Sequence, residues 1–274
     1  MSADLFDASG SLMPFLVALG VALILFAAVW PLSVIRRDAS LADLLWGPGF
    51  LLNCGIAAIF ADTVHGAGWL VLALVALWSG RIAVTLTGRR LREGREDPRY
   101  AAIRAAWGPT FWWKSLFVVF ALQAFVQWLL SIGPMAGILA APSSLGGVAV
   151  AGLSAALAGL ALETLADVQL DRFKRRAPPG ALMTSGLRAH VRHPNYTGEM
   201  IFWLGIAMIV ADAGAWLGFL TPALIVVLLW KVSGAPILDE RLAATRPGHA
   251  AYRARVPAFL PMPFGRGAGR ARRG

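Results

Sequence analysis

Long apolar runs alternate with short polar ones along this chain. The runs occupy residues 12–35, 41–61, 68–87, 111–132, 145–170, 196–211 and 215–232, each near the ~20 residues a helix needs to cross hydrocarbon. The predicted fold class is therefore all-α: a polytopic transmembrane helical bundle of about seven spans. The sixth and seventh runs are short and divided by Asp212, Ala213 and Gly214, which fits a tight helical hairpin or a membrane-embedded pair. The second run carries Gly47, Pro48 and Gly49 between Asp43, Trp46 and Asn53, a pattern that predicts a kink lining a pocket.

Charge placement orients the spans. The first run follows Asp4 and Asp7 in place of a basic segment and is too long for a secretory signal, so it reads as a span. Arg36 and Arg37 hold its end in the cytoplasm, which puts the N-terminus outside. Basic residues then gather in three stretches: Arg89, Arg90, Arg92, Arg95, Arg99 and Arg104; Arg172, Lys174, Arg175, Arg176, Arg188 and Arg192; and Arg241, Arg246, Arg253 and Arg255. Segments 62–67, 133–144 and 212–214 contain no Lys or Arg and are expected outside, so the C-terminus is cytoplasmic and the setting is a bacterial inner membrane. One domain is expected over 1–264, with a disordered Gly/Arg tail over 265–274 resting on anionic lipid.

Composition narrows the possibilities further. Hydrophobic residues make up 58% of the 274 and charged residues 15%, a balance that suits a lipid-facing surface and no water-soluble one. The net charge of +10 follows the spaces between apolar runs, with no nucleic-acid fold signature, so membrane lipids and a lipophilic small molecule are the expected partners and nucleic acid is not. Cys54 is the single cysteine, which excludes an intramolecular disulfide and a Cys-based metal site; no metal is expected.

Chemistry is expected where ionisable groups enter apolar runs, because each costs roughly 2.5–3.5 kcal/mol near the bilayer centre. Glu163, Asp167 and Asp171 follow one another at i,i+4 on one helical face before a basic run, either an ion-paired helix end or the wall of a polar cavity. Arg81 sits within the third run beside Trp78 and Thr85, either snorkelling or paired with Asp43 or a fifth-span carboxylate. The densest stretch is Arg192-His193-Pro194-Asn195-Tyr196-Thr197-Gly198-Glu199. It reads as a helix start with Pro194 in the first turn and anion-binding amides beyond it, Arg192 and His193 reinforcing that preference. Asn195 and Glu199, one turn apart, offer an amide and a carboxylate to a ribose, an adenine or a carboxamide. Asp239, Glu240, Arg241 and Tyr252, with the segment 257–263, are placed to fold over the loop after the fifth span.

Several stretches together resemble the DUF1295 membrane proteins, grouped with the steroid 5-alpha-reductase C-terminal family and, more remotely, with the isoprenylcysteine carboxyl methyltransferases. They are Asp43-Leu44-Leu45-Trp46-Gly47, Trp78-Ser79-Gly80-Arg81, Glu96-Asp97-Pro98-Arg99-Tyr100, residues 163–173, residues 186–199 and Val232-Ser233-Gly234-Ala235-Pro236. The resemblance implies a seven-helix reductase that passes a hydride from NADPH to a carbon–carbon double bond conjugated with a ketone. It implies that Asp167, Arg172, Asn195 and Glu199 hold the dinucleotide, and that Arg89 and Arg92 approach its phosphates; Arg192, His193, Tyr196, Glu240 and Tyr252 complete the expected cofactor set. The ketone-holding Gln-Glu pair and Tyr of the steroid reductases have no match, and Trp78 stands at the Tyr position. Asp43, Trp46, Arg81 and Glu163 are the candidates for that catalytic duty. Two alternatives compete: S-adenosylmethionine-dependent methyl transfer, supported by the Arg-His-Pro-Asn-Tyr stretch with Glu240 and Tyr252, and a non-enzymatic lipid-binding role. The number of arginines favours a phosphate-rich dinucleotide.

Overall fold

The computed structural model describes residues 12–140, 145–232 and 234–260; the tail over 265–274 lies outside them. Every element among the described residues is helical. Helix α1 (Met13–Arg36) begins with Pro14, where the missing N–H costs nothing. A 3-10 helix (Ala39–Leu45) follows, capped by Asp38, whose Oδ1 accepts from the Ser40 amide at 3.0 Å. The remaining α-helices, joined in places by short 3-10 and π turns, are α2 (Trp46–Phe60), α3 (Gly66–Glu93), α4 (Pro98–Trp107), α5 (Phe111–Ser115), α6 (Leu122–Ile138), α7 (Gly147–Arg176), α8 (Pro194–Asp212), α9 (Leu220–Val227), α10 (Ala235–Thr245) and α11 (His249–Arg255). Where the kink was expected the helix changes type: the 3-10 turn passes into α2 at Trp46, and α2 runs on through Gly47, Pro48 and Gly49.

Six helical stretches among the described residues are long and apolar enough to cross a bilayer: Met13–Arg36, Ala39–Phe60, Gly66–Glu93, Pro98–Ile138, Gly147–Arg176 and Trp216–Thr245. The chain is a polytopic integral membrane protein. Helix α8, read as the sixth of seven spans, is not among these six, because Asn195, Thr197 and Glu199 make its start polar. Helices α3 and α7 run beyond the apolar stretches, to Glu93 and Arg176. Arg89, Arg92 and Arg172 therefore stand on helices, where the expectation was loops. Arginine is a good helix former and suits the negative end of the helix dipole, so a helix continues past the point where hydropathy stops.

The chain divides into two compact units, residues 1–153 with 205–221 and residues 154–204 with 222–274. In the first, Phe26 of α1, Tyr100 of α4 and Phe111, Val119 and Phe120 pack with Ala22, Ala39, Ala42 and Ala124 into one buried core. In the second, α7 and α8 touch backbone to backbone: a Cβ on Gly198 would stand 2.6 Å from Gly159 O and 2.7 Å from Glu163 N. Only glycine allows that approach.

Candidate functional site

The first unit joins carboxylates to arginines between α3, the 3-10 turn and α4. Asp38 pairs with Arg90, Glu93 and Asp97 with Arg89 at 3.0 and 3.7 Å, and Glu96 takes Arg104 through two bonds of 2.8 and 3.1 Å. Asp97 caps α4 by accepting from the Arg99 amide at 2.9 Å. Burial works against its charge, but the Arg99 guanidinium and amide prevail and hold the Asp97 carboxyl below its ordinary range.

Asp43 and Trp46, expected to act on a substrate ketone, are the ends of a chain of donors. Trp46 Nε1 donates to Gln123 Oε1 at 2.7 Å, Gln123 Nε2 to Tyr100 OH at 2.7 Å and Tyr100 OH to Asp43 Oδ1 at 2.5 Å. Asp43 Oδ2 accepts from Arg99 Nη2 at 3.0 Å, a cation the sequence reading had not paired with it. The cavity beside Asp43, bordered by Ser40, Arg89, Arg95 and Arg99, holds only about 60 Å³. Arg89, expected at a cofactor phosphate, is paired here with Glu93 and Asp97.

The second unit gathers the residues around the start of α8. Helix α8 begins at Pro194, as its first-turn preference predicts. Gly198 lies against Gly159 and Glu163 of α7. Helical periodicity puts Asn195 and Glu199 one turn apart on a common face of α8, and Asp167 one turn from Glu163 on α7. The Asp167 carboxylate and the Tyr196 hydroxyl act electrostatically on Arg188, which is buried. Burial lowers the Arg188 pKa and these neighbours oppose the shift; its Nη1 donates to Arg192 O at 2.6 Å.

Arg192 and His193 do not present charge to an anion. Arg192 Nη2 donates to Asp239 Oδ2 at 2.8 Å and its Nη1 to Val256 O and Arg253 O at 2.5 and 3.2 Å. His193 Nε2 meets Asp239 Oδ1 at 3.1 Å, and His249 Nε2 approaches the same oxygen at 3.4 Å. Burial drives the His193 pKa down to about 4 against the pull of Asp239, with Arg188 and Arg192 adding to the drop, so the ring is neutral at pH 7. The amides of Arg192 and His193 donate to Pro257 O and Ala258 O at 2.8 and 3.0 Å, and Tyr252 OH donates to Arg188 O at 2.5 Å. The segment after α10 does fold over the loop after α7, as expected, and does so as a latch. His249 is its unforeseen member, and Glu240, on the exposed side of α10, takes no part in this contact.

An open groove of about 330 Å³ lies in the same unit, lined by Gln169, Arg172, Phe173, Arg176, Met183, Ser185 and Gly186. Gln169 Oε1 accepts from the Leu187 amide at 3.0 Å and fixes one wall. Two guanidiniums on one helix suit a phosphate, and Phe173 with Met183 suits a flat ring. The volume is at the small end of ligand pockets. Arg172 was expected here; Arg176 was read only as a topology residue. Among the described residues no group of three His, Cys, Asp or Glu could hold a metal ion.

A family model described as "Protein of unknown function (DUF1295)" matches residues 29–256. The chain belongs to the DUF1295 family. The match runs from Val29 in α1 to Val256, the first residue after α11, so the side chains that form both polar clusters of this DUF1295 protein lie inside it. Over 84 residues it is 31% identical to Protein-S-isoprenylcysteine O-methyltransferase of Schizosaccharomyces pombe, covering 30% of this chain and 33% of that protein. The chain thus spans about a third of that relative's length. No solved structure matches this DUF1295 protein.

Proposed function

We propose that this DUF1295 protein is a membrane-embedded reductase that uses NADPH to saturate a carbon–carbon double bond conjugated with a ketone in a lipophilic substrate. The observation that carries the reading is the groove with Arg172 and Arg176. Most other arginines near the clusters are matched to carboxylates, while these two border an open space suited to phosphate. Arg172 and Arg176 hold the dinucleotide's phosphates, and Asn195, Glu199 and Asp167 along α7 and α8 serve its ribose and carboxamide. The cofactor supplies the hydride when bound. Glu163, buried in the same unit as the groove, is the group assigned to the substrate ketone. The groove opens to the cytoplasm in the orientation set by the arginine-rich segments.

The second reading is methyl transfer from S-adenosylmethionine. The fission-yeast relative favours it, as does the neutralisation of Arg89, Arg104 and Arg192, which leaves fewer cations for a dinucleotide. Thermal unfolding of the detergent-purified protein, titrated with NADPH, NADH and S-adenosylmethionine, separates the two, since a ligand of the folded state raises its stability. Saturable stabilisation by NADPH that weakens at least tenfold in Arg172→Gln and Arg176→Gln is the expected result. A response to S-adenosylmethionine alone replaces the reductase reading with the second one, and no response to any ligand sinks both.

A further inference from the structure

The helical stretch Pro98–Ile138 is 41 residues long, about 60 Å at ~1.5 Å per residue, against ~30 Å of hydrocarbon. It cannot be one straight span. The break is at Gly108, whose φ of 55° and ψ of −136° end α4 in a conformation that side-chain-bearing residues avoid. Pro109 follows, and the apolar run proper starts at Phe111. Helix α4 therefore lies outside the span that succeeds it.

Its side chains are arranged unlike those of a helix facing water. The cations are bonded back into the protein, Arg104 to Glu96 at 2.8 Å and against the Phe111 ring at 4.5 Å, Arg99 to Asp97 and Asp43 at 3.0 Å each. Beyond Arg99 at its first turn, what α4 exposes is apolar: Ala101, Ala102, Ile103, Ala105, Ala106 and Trp107. Around the turn stand Trp107, Trp112 and Trp113, 36%, 54% and 44% exposed. The Lys114 ammonium is 5.0 Å from the Trp107 ring and 5.6 Å from the Trp113 ring. Trp30 of α1 stacks on Trp112 and donates to its carbonyl at 3.0 Å, holding the turn. Half-exposed indoles beside a lysine are what the boundary between headgroups and acyl chains selects, and a short helix with an apolar outer face lies in that plane.

We propose that α4 is an in-plane membrane-surface helix, seated in the phospholipid headgroup layer through Ile103, Ala106 and the Trp107–Trp112–Trp113–Lys114 cluster. The proposal is independent of which cofactor the protein uses. The site is continuous with the span beginning at Phe111, so the lipid that surrounds that span is what covers the outer face of α4.

Spin-label accessibility in phospholipid nanodiscs tests this. Single cysteines are placed by Ile103→Cys and Ala106→Cys in a Cys54→Ala background, with Ile24→Cys on the exposed side of α1 and Arg95→Cys before α4 as references, and each variant is checked by its thermal unfolding. The expected result is a ratio of oxygen to nickel-chelate accessibility at 103 and 106 intermediate between the two references, with nickel access at least threefold below that at 95. Ratios at 103 and 106 equal to that at 95 would mean water and overturn the proposal. Ratios equal to that at 24 would mean hydrocarbon depth and also overturn it, as would dipolar broadening from the label of a second copy.

Discussion

Asp239 is the residue whose loss the latch should feel most. Its carboxylate receives Arg192 at 2.8 Å and faces His193 and His249 at 3.1 and 3.4 Å, with side-chain exposures of 4% for Asp239 and 10% for Arg192. Removing one partner of so buried a pair strands the other charge, at a cost of about 3–5 kcal/mol. Arg192 keeps two acceptors, Val256 O and Arg253 O, so Asp239→Ala belongs at the low end, near 3 kcal/mol. Asp239→Asn keeps an acceptor and loses only the charge, which places it at about 1.5–3 kcal/mol. Arg192→Met combined with Asp239→Leu replaces the ion pair by apolar groups and recovers most of the loss; the His193 N–H then lacks its acceptor, leaving about 1–3 kcal/mol. The assay is reversible unfolding in mixed micelles for all four proteins. A change under ~0.5 kcal/mol for Asp239→Ala, or no coupling between positions 192 and 239, would refute the latch as a buried charge pair.

Two further outcomes are expected. Gly198→Ala should destabilise by about 1–3 kcal/mol, because its methyl meets Gly159 O at 2.6 Å and the backbones of α7 and α8 must separate; unfolding equal to the parent protein's would mean the helices are not in backbone contact there. Acid should weaken the fold through His193: its pKa of about 4 is depressed from 6.5 by burial, so the unfolded chain takes the proton first. Stability is intact above pH 6.5 and is lost progressively as pH falls to 4, by about 3 kcal/mol in full. His193→Gln should flatten that slope between pH 7 and about 4.5, and an unchanged slope would assign the acid sensitivity to another group.

Hydropathy made the membrane class legible because the bilayer tests each helix separately: a run of about 20 apolar residues suffices whatever its neighbours are. Local rules likewise located the start of α8 at Pro194 and the common face of Glu163 and Asp167, both properties of a few consecutive residues. Charge partners obey no such rule. Arg192 meets Asp239 across 47 positions, and Tyr100 meets Asp43 across 57. An arginine consumed by carboxylates and one bordering a groove look alike in sequence; Arg89 pairs with Glu93 and Asp97 while Arg172 lines the groove, and only folding separated them. Neutralisation of a charge acts over a few ångströms of space, so the surviving cations of the candidate site were decided by which helices came together, while the helices themselves were written locally in the chain.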